Sequence, residues 1–302
     1  MAPVDPIRLR RSALYVPGSN PRALQKSAAL AADVLILDLE DAVLPAAKAA
    51  ARAAVVAAVV VAVAGRRDGS REIVIRVNGL DTEWGPADLR AAAGSGADAI
   101  LIPKVDQPAT LLSAAKMLDE MAAPRGLRLW GMVETPRGVL ALDAIAPCTP
   151  RLAVIVVGTA DLASALHIPD QPGRLALIPA LAHCILAARA AGIDILDGVH
   201  TQLKDPVGFR AECVQGRHLG FDGKTLIHPG QIDAANEIFG VPDAEAAAAA
   251  ELIAAWDAAA ATGAGVAVHT GRMVERLHVD AARRQLARHE AIRAALRQPV
   301  QT

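Results

Sequence analysis

One pattern repeats along most of this chain: a short apolar run rich in β-branched residues, then a turn, then a segment with helical spacing. Short apolar runs bounded by turn residues indicate buried strands. The predicted strands cover residues 12–16, 34–38, 73–77, 99–102, 128–133, 152–157, 193–196 and 218–221. Because these strands are apolar on both faces and alternate with helices, they predict a parallel sheet with right-handed crossovers.

Eight strand-then-helix units are enough to close a barrel. An open doubly wound sheet usually has fewer strands and a glycine-rich fingerprint that this sequence lacks. The prediction is therefore an α/β fold, a (β/α)8 TIM barrel over residues 1–240. After about residue 241 the alternation ends, and an Ala-rich helix over 243–261 and an Arg-rich helix over 279–296 follow. Residues 241–302 are predicted to form a C-terminal helical extension.

In such a barrel the chemistry takes place at the carboxyl ends of the strands, and polar residues of this chain gather there. These positions are Pro17, Gly18, Glu40, Asp41, Arg76, Asn78, Lys104, Glu134, Asp161, Asp197 and Asp222. The residues predicted to bind the substrate are Pro17, Gly18, Arg76, Asn78 and Lys104. Gly18 either lets the backbone approach a ligand or simply forms the turn.

Two carboxylates, Glu134 and Asp161, each follow a predicted strand. Both are hard oxygen ligands, and Mg²⁺ typically takes one or two protein carboxylates while waters or substrate oxygens complete its octahedron. Either carboxylate could instead stabilise the first turn of the helix that follows it. From the pattern alone both interpretations stay open, since only the barrel geometry brings the two residues together.

Arg76 ends a strand that is otherwise apolar, so its guanidinium would be an unpaired cation at the barrel mouth unless an anion meets it. An arginine there can hold a carboxylate of the substrate by two parallel hydrogen bonds. The alternative is a salt bridge to Glu40 or Asp41 on the neighbouring strand, and both can hold at once.

Glu40 and Asp41 are adjacent, so strand geometry points them to opposite sides and at most one faces the site directly. One of them could orient metal-bound water. Lys104 could bind a phosphate or a carboxylate, although a solvated lysine after a strand is common.

Composition excludes several classes of function. Aromatic residues make up 2% of the chain and the formal net charge is −1, which disfavours nucleic-acid binding. The apolar run over residues 53–64 is too short to span a membrane, so it is predicted to be a buried helix. The three scattered cysteines fit a reducing cytoplasm. The histidines lack HExxH spacing, which makes zinc improbable, and no G-x-S-x-G or P-loop motif occurs.

Several motifs occur in one order along the chain and together carry a resemblance. They are Arg11-Ser12 with Val16-Pro17-Gly18, Leu37-Asp38-Leu39-Glu40-Asp41-Ala42-Val43, Ile75-Arg76-Val77-Asn78, Pro103-Lys104, Glu134-Thr135 with Gly138, Gly158 with Asp161-Leu162, and Gly220-Phe221-Asp222-Gly223-Lys224 with His228-Pro229 and Gln231-Ile232. The set resembles the citrate lyase β-subunit family of the HpcH/HpaI aldolase superfamily, which includes citramalyl-CoA and malyl-CoA lyases. The resemblance covers essentially the whole chain.

The resemblance implies a (β/α)8 barrel with Mg²⁺ held by Glu134 and Asp161, and with Arg76 contacting the substrate carboxylate and the developing enolate. It also implies that the C-terminal segment is a lid, which often reaches the active site of a neighbouring subunit in a homotrimer. The family pattern in that lid is Gly-Lys-Met-Ile-Asp, and its Asp moves a proton on the acetyl-CoA methyl group.

The matching residues of this chain are Gly271-Arg272-Met273-Val274-Glu275, so Glu275 replaces the Asp of the family pattern. The carboxylate is kept, but the added methylene displaces it by about 1 Å, a shift that can reduce the rate about 100-fold. The efficiency of the reaction, and even its identity, therefore depends on Glu275.

The resulting hypothesis is a Mg²⁺-dependent carbon–carbon lyase that cleaves a 3-hydroxy-acyl-CoA with a distal carboxylate into a 2-oxo acid and acetyl-CoA. The catalytic residues are predicted to be Glu40, Asp41, Arg76 and Glu275. Three alternatives stay open: a malyl-CoA-type thioesterase on the same site, an aldolase for free hydroxy-oxo acids, and a subunit that binds CoA esters without catalysis. Arginines of the last helix could meet CoA phosphates, or could form a solvated face.

Overall fold

The computed structural model describes residues 7–64, 71–169, 173–263 and 265–297. The chain forms two compact units, of which Arg10–Phe239 is one. The segment from Gly240 onward belongs to the other.

The first unit is a closed barrel of eight parallel strands, in which each strand pairs with its neighbours in sequence and the last pairs with the first. The strands are β1 (Ser12–Pro17), β2 (Val34–Asp38), β3 (Glu72–Arg76), β4 (Ala99–Ile102), β5 (Arg128–Val133), β6 (Leu152–Val157), β7 (Asp194–Asp197) and β8 (Gly223–Leu226). The predicted TIM barrel is therefore confirmed. Closure brings the carboxyl ends of all eight strands to one mouth.

Helices follow the strands on the outside of the barrel. They are α1 (Pro21–Ser27), α2 (Lys48–Ala64), α3 (Gly85–Ala93), α4 (Pro108–Glu120), α5 (Pro136–Leu140), α6 (Leu142–Ile145), α7 (Thr159–Ala165), α8 (Ile178–Ala191), α9 (Pro206–Leu219) and α10 (Ile232–Ile238). Most begin with a proline in the first turn, where the missing N–H is not needed for helical hydrogen bonding.

Alternate residues along strands β1 to β7 supply two separate apolar cores. The inner core fills the barrel and includes Ile36, Leu101 and the fully buried Trp130. The outer core lies between the strands and the helices and includes Leu37 and Ile100, which directly follow or precede inner residues. This period of two predicts that polar residues at the strand ends also divide between the interior of the barrel and the helix layer.

Helix α2 corrects one prediction. The apolar run was expected to be short and buried, but Pro45–Ala64, the helix with its preceding turn, is long and apolar enough to cross a membrane by length and composition. Only one side, including Val55 and Val59, packs in the outer core, while Val61 is 76% exposed. The helix is thus buried along one side only, because a helix outside a barrel contacts the strands with one face.

The eighth strand was predicted at residues 218–221, and that position is wrong. Helix α9 continues through Leu219 and ends at Gly220, whose φ of 109° lies in the left-handed region that favours glycine. The strand follows at Gly223–Leu226 and carries the fully buried Lys224, so it does not have the apolar pattern of the others. Asp222 consequently precedes β8 and lies at the opposite end of the barrel from the mouth.

The second unit contains two helices, α11 (Asp243–Ala261) and α12 (Arg276–Leu296), joined by a hairpin of β9 (Ala267–His269) and β10 (Arg272–Val274). The hairpin was not predicted, because its strands are three residues long. Ala267 and Val274 pack against α11, whereas Val268 and Met273 pair on the exposed face.

Candidate active site

The barrel mouth contains a cavity of about 390 Å³. Its polar lining comes from the ends of β1, β2, β3, β5, β6 and β8: Tyr15, Asp38, Asp41, Arg76, Glu134, Thr159, Asp161 and Thr225. Apolar side chains such as Met132, Val156 and Ile227 form much of the remaining wall. The predicted Arg76, Glu134 and Asp161 thus lie around one space, as closure of the barrel requires.

Arg76 is surrounded by carboxylates. Its Nε and Nη2 donate to the two carboxylate oxygens of Asp38 at 2.7 and 2.6 Å. Its Nη1 lies 2.7 Å from Oε2 of Glu40 and 3.4 Å from Oδ2 of Asp41. The guanidinium also stacks over the ring of Tyr15, with 4.9 Å between Cζ and the ring centroid.

The role predicted for Arg76 therefore needs correction. The alternative salt bridge to Glu40 and Asp41 is present, and the two parallel bonds that a substrate carboxylate would accept are made to Asp38 instead. Of the guanidinium protons, one on Nη2 has no acceptor in the described part of the chain. Arg76 can offer the substrate a single fixed N–H, which suits an oxygen that gains negative charge.

Asp38 was not predicted from the sequence to have a role in the site. It ends the apolar strand β2, and it lies directly opposite Arg76 in the β2–β3 register. The period of two along β2, which places Asp38 on the same side as the inner residue Ile36, could have identified it.

Glu40 and Asp41 differ in position, as their adjacency predicted. The Glu40 side chain is buried between Arg76 and Lys104, whose Nζ lies 2.7 Å from Oε1. Burial raises the pKa of Glu40. Asp41 is 60% exposed and lines the cavity. Burial opposes ionisation of Asp41, but its hydrogen bond with Glu40 and the charge of Arg76 outweigh this and lower the pKa of Asp41.

Glu134 follows β5 and is 4% exposed. The backbone N–H of Lys104 donates to its Oε1 at 2.8 Å, from a residue with a φ of 51°. Gly158 lies so close that a Cβ atom there would be 2.5 Å from Cβ of Glu134. Burial raises the pKa of Glu134 to about 8; the Lys104 N–H opposes this shift and the charge of Asp161 adds to it.

Asp161 lies in the first turn of α7, is exposed, and borders the same cavity as Glu134. The alternative reading as a first-turn carboxylate thus holds for Asp161. It does not hold for Glu134, because Thr135 caps α5 by accepting from the N–H of Gly138.

The donor set fits Mg²⁺. Two carboxylates repel each other across one cavity, and Arg76, which is already shared among three other carboxylates, offsets this repulsion at Glu134 only in part. Among the residues that the structure describes, no group of three or more His, Cys, Asp or Glu side chains could hold a metal. Two carboxylates with room for water and ligand oxygens are nevertheless the usual protein contribution to a Mg²⁺ site.

Of the other residues predicted to bind the substrate, only Pro17 lines the cavity. Asn78 uses its side chain inside the protein, donating to Leu39 O and Asp88 and accepting from Lys48 Nζ. Asn78 therefore supports the loop after β2 rather than binding substrate.

Gly18 and Lys104 lie outside the lining of the cavity, and their role in binding substrate stays a prediction. A Cβ atom at Gly18 would lie 2.7 Å from Asp38 O, so the glycine permits close packing of two loops rather than approach of a ligand. Lys104 contributes its backbone N–H to Glu134, and its ammonium pairs with Glu40.

Asp197 ends β7 but does not face the mouth. It is fully buried on the helix side, where Lys224 Nζ lies 3.0 Å from Oδ2 and Arg174 Nη1 lies 2.5 Å from Oδ1. Its role is structural.

Glu275 lies in the second unit, where it is the N-cap of α12. Its side chain accepts from the backbone N–H of His278, and the His278 ring accepts from the backbone N–H of Glu275 at 3.0 Å. Its catalytic role stays a prediction. Along α12, Arg283 and Arg293 pair with Asp257 and Asp243 at 3.6 Å, which favours the solvated-face interpretation over contact with CoA phosphates.

Comparison with known proteins identifies the family. A model of the family described as HpcH/HpaI aldolase/citrate lyase matches residues 11–229, which is nearly the whole barrel. The chain belongs to the HpcH/HpaI aldolase/citrate lyase family. Glu134, Asp161 and Arg76 all lie within the matched region.

Members of the HpcH/HpaI family similar to this chain have different activities. A (3S)-malyl-CoA thioesterase of Cereibacter sphaeroides (strain ATCC 17023) is 49% identical over 284 residues, covering 94% of this chain and 96% of the relative. The citrate lyase subunit beta of Escherichia coli (strain K12) is 35% identical, covering 94% of each chain. The family thus comprises enzymes, both lyases and a thioesterase.

A solved structure supports the same assignment. The protein CitE of Mycobacterium tuberculosis, in complex with magnesium, acetoacetate and coenzyme A, superposes with a TM-score of 0.73. It is 28% identical, and the match covers 92% of this chain and 97% of that chain. Magnesium and coenzyme A are therefore bound by a structural relative in this family.

Proposed function

We propose that this chain is a Mg²⁺-dependent thioesterase for a 3-hydroxy-acyl-CoA with a distal carboxylate, of the malyl-CoA type. The observation that carries the proposal is the cavity itself, where Glu134 and Asp161 share a space with the fixed guanidinium of Arg76. The 49% identity to a malyl-CoA thioesterase over 94% of the chain supports hydrolysis in particular. All three cysteines are free, which supports a cytoplasmic location as part of the proposal.

Glu134 and Asp161 would hold the ion, which when bound supplies Lewis-acid polarisation and orients oxygen ligands. Arg76 would donate its remaining N–H to the thioester oxygen as negative charge develops there. Asp41 borders the cavity and its side chain is 60% exposed, so its carboxylate would accept the proton of the attacking water. The carbon–sulfur bond then breaks, and Glu275 of the lid, in its protonated form, would give its proton to the departing thiolate. Asp41 would then release the proton of the attacking water to solvent, and Glu275 would take up another.

The second candidate is a carbon–carbon lyase, favoured by the carboxylate that Glu275 keeps at the lid position and by the 35% identity to a citrate lyase subunit. After the same binding, Asp41 would accept the proton of the substrate hydroxyl, and the carbon–carbon bond would break to give a 2-oxo acid and a CoA thioester enolate. Arg76 would stabilise the enolate oxygen, and Glu275 would deliver the proton that makes acetyl-CoA.

The products distinguish the two reactions. With malyl-CoA and Mg²⁺, we expect free thiol and malate to form in equal amounts, without acetyl-CoA or glyoxylate, and EDTA should remove the activity. Thiol can be followed with a chromogenic disulfide and the acids by chromatography. Acetyl-CoA and glyoxylate in equal amounts would select the lyase. No turnover of malyl-, citramalyl- or citryl-CoA, with or without EDTA, would reject both.

We further propose a homotrimer in which the lid of one subunit completes the cavity of another. The exposed Val268 and Met273 pair gives the hairpin an apolar face that such a contact would bury. Glu275 directly follows this hairpin.

Complementation tests the exchanged lid. Arg76→Ala and Glu275→Ala are each expected to lower activity at least about tenfold. Co-expressed in equal amounts, they should recover about one quarter of wild-type activity, since random assembly pairs an intact cavity with an intact lid at that frequency. Each variant expressed alone is the control. Recovery no greater than the sum of the two variants would contradict lid exchange, and full activity of Glu275→Ala alone would contradict the role of Glu275.

A further inference from the structure

We infer that Asp38 is a positioning residue of the active site, fixing Arg76 and the loop that carries Glu40 and Asp41 with one buried carboxylate. The inference rests on the proposed function, in which Arg76 and Asp41 meet the substrate. Asp38 is 1% exposed as a residue, although part of its surface borders the cavity.

The Asp38 carboxylate accepts four hydrogen bonds. Oδ1 accepts from Arg76 Nε at 2.7 Å and from the backbone N–H of Glu40 at 2.8 Å. Oδ2 accepts from Arg76 Nη2 at 2.6 Å and from the backbone N–H of Ala42 at 3.3 Å. A carboxylate has about four lone-pair sites, so these bonds use its capacity and fix it in one orientation.

The loop after β2 is held from its other side as well. Lys48 Nζ donates to the carbonyl oxygens of Leu39 and Glu40 at 2.9 and 2.8 Å, and Asn78 donates to Leu39 O at 2.9 Å. The backbone of residues 39–42 therefore lies between Asp38 on one side and a buried polar pair on the other. Asp38 is the only one of these anchors that also bonds Arg76 in the described part of the chain.

Asp38 is expected to affect the direction in which the free N–H of Arg76 points rather than the charge of Arg76. Without Asp38, the Nε and Nη2 edge of Arg76 would be free to bind a substrate carboxylate by two parallel bonds, and the single N–H would no longer be fixed. A donor must already point to where charge develops, because reorientation during the reaction reduces its effect. Loss of Asp38 should therefore lower turnover more than it weakens substrate binding.

The chain offers a matched control at the other end of the barrel. Asp33 holds Arg11 by the same two-bond geometry, at 2.8 Å from both Nε and Nη2, and also accepts from a backbone N–H at 2.9 Å. The side-chain exposures are 9% and 8% for Arg11 and Asp33, and 9% and 2% for Arg76 and Asp38. Asp33 precedes β2, far from the mouth, so it has no part in the reaction.

The experiment compares Asp38→Asn with Asp33→Asn in the full-length chain. Both should lower the unfolding temperature, but only Asp38→Asn should lower kcat, by about 100-fold, with KM changed less than threefold. Equal kcat in the two variants, or a change confined to KM, would overturn the inference. If Asp38→Asn does not fold, Asp38→Glu keeps the charge with a longer arm, and the same loss of kcat is expected.

A second measurement does not depend on turnover. The Arg76 Nε–H resonance, assigned by its loss in Arg76→Lys, should exchange slowly with water in the wild-type chain and rapidly in Asp38→Asn. Equal exchange rates would overturn the inference even if the chain hydrolyses malyl-CoA. If the wild-type chain turns over none of the CoA thioesters, the proposed function fails, while this measurement still decides whether Asp38 fixes Arg76.

Discussion

Glu134→Gln is expected to reduce turnover at least about 1,000-fold, which corresponds to about 4 kcal/mol of transition-state stabilisation. The change keeps the size of a side chain that is 4% exposed, but removes one of the two carboxylates that meet in the cavity. The affinity for Mg²⁺ should fall at least about 100-fold, since even partners outside the ligand shell contribute 10- to 100-fold. Calorimetric titration with Mg²⁺ and the thiol assay measure the two effects.

Glu72→Gln is the matched control for this change. Glu72 is also buried inside the barrel, at 3% exposure, but it lies at the opposite end, where it pairs with Arg10 at 2.8 Å. It should lower stability and leave the Mg²⁺ affinity unchanged. If Glu134→Gln bound Mg²⁺ as tightly as the wild-type chain, the metal site proposed here would be contradicted.

Asp197→Asn is expected to lower the free energy of unfolding by about 3–5 kcal/mol, because it leaves Lys224 and Arg174 buried without their common counter-ion. Lys224 and Asp197 are both fully buried, and Glu212 is the other carboxylate near Lys224, at 3.2 Å. Urea denaturation measures the change.

Glu237→Gln provides the comparison, since it removes an exposed ion pair with Arg210. The Arg210 side chain is 47% exposed and the Glu237 side chain is 65% exposed. That loss should be much smaller than the loss in Asp197→Asn, because water and salt screen an exposed ion pair. A loss of similar size in both variants would contradict the structural role of the buried cluster.

The buried cluster of Asp197, Lys224 and Arg174 also predicts that the stability of the protein depends on pH. Burial opposes ionisation of Asp197, but Lys224 and Arg174 outweigh it and lower its pKa below the ordinary value of 3.8. A carboxylate with a lowered folded pKa stabilises the protein above its unfolded pKa, and that contribution is lost as the pH falls through the folded value. The stability difference between wild type and Asp197→Asn should therefore narrow below about pH 4.

Much of the barrel could be predicted from the sequence because each strand from β1 to β7 contains adjacent apolar residues, as is typical of buried parallel strands. The exception was β8, where Lys224 and Thr225 hide the strand. A buried lysine is acceptable there only because Asp197 and Glu212 meet it, and such partners are distant in sequence.

The site residues that directly follow a strand could be predicted, because the ends of the strands meet at the barrel mouth. Glu134 and Asp161 line one cavity as the barrel model required. The partners of Arg76 were harder to predict. In the sequence Asp38 is only the last residue of an apolar strand, and the β2–β3 register is needed to place it opposite Arg76. Asn78 was misassigned for a related reason, since its three buried partners come from residues 39, 48 and 88.

The position of the bound metal ion is the sharpest test of the proposed Mg²⁺ site. Crystals grown with Mn²⁺ in place of Mg²⁺, and with malate as a ligand, should show an anomalous scattering peak within about 2.5 Å of carboxylate oxygens of both Glu134 and Asp161. Oxygen atoms of malate should complete the coordination of the Mn²⁺ ion. A peak that contacts neither carboxylate, or no peak at Mn²⁺ concentrations that support thioester hydrolysis, would contradict the account.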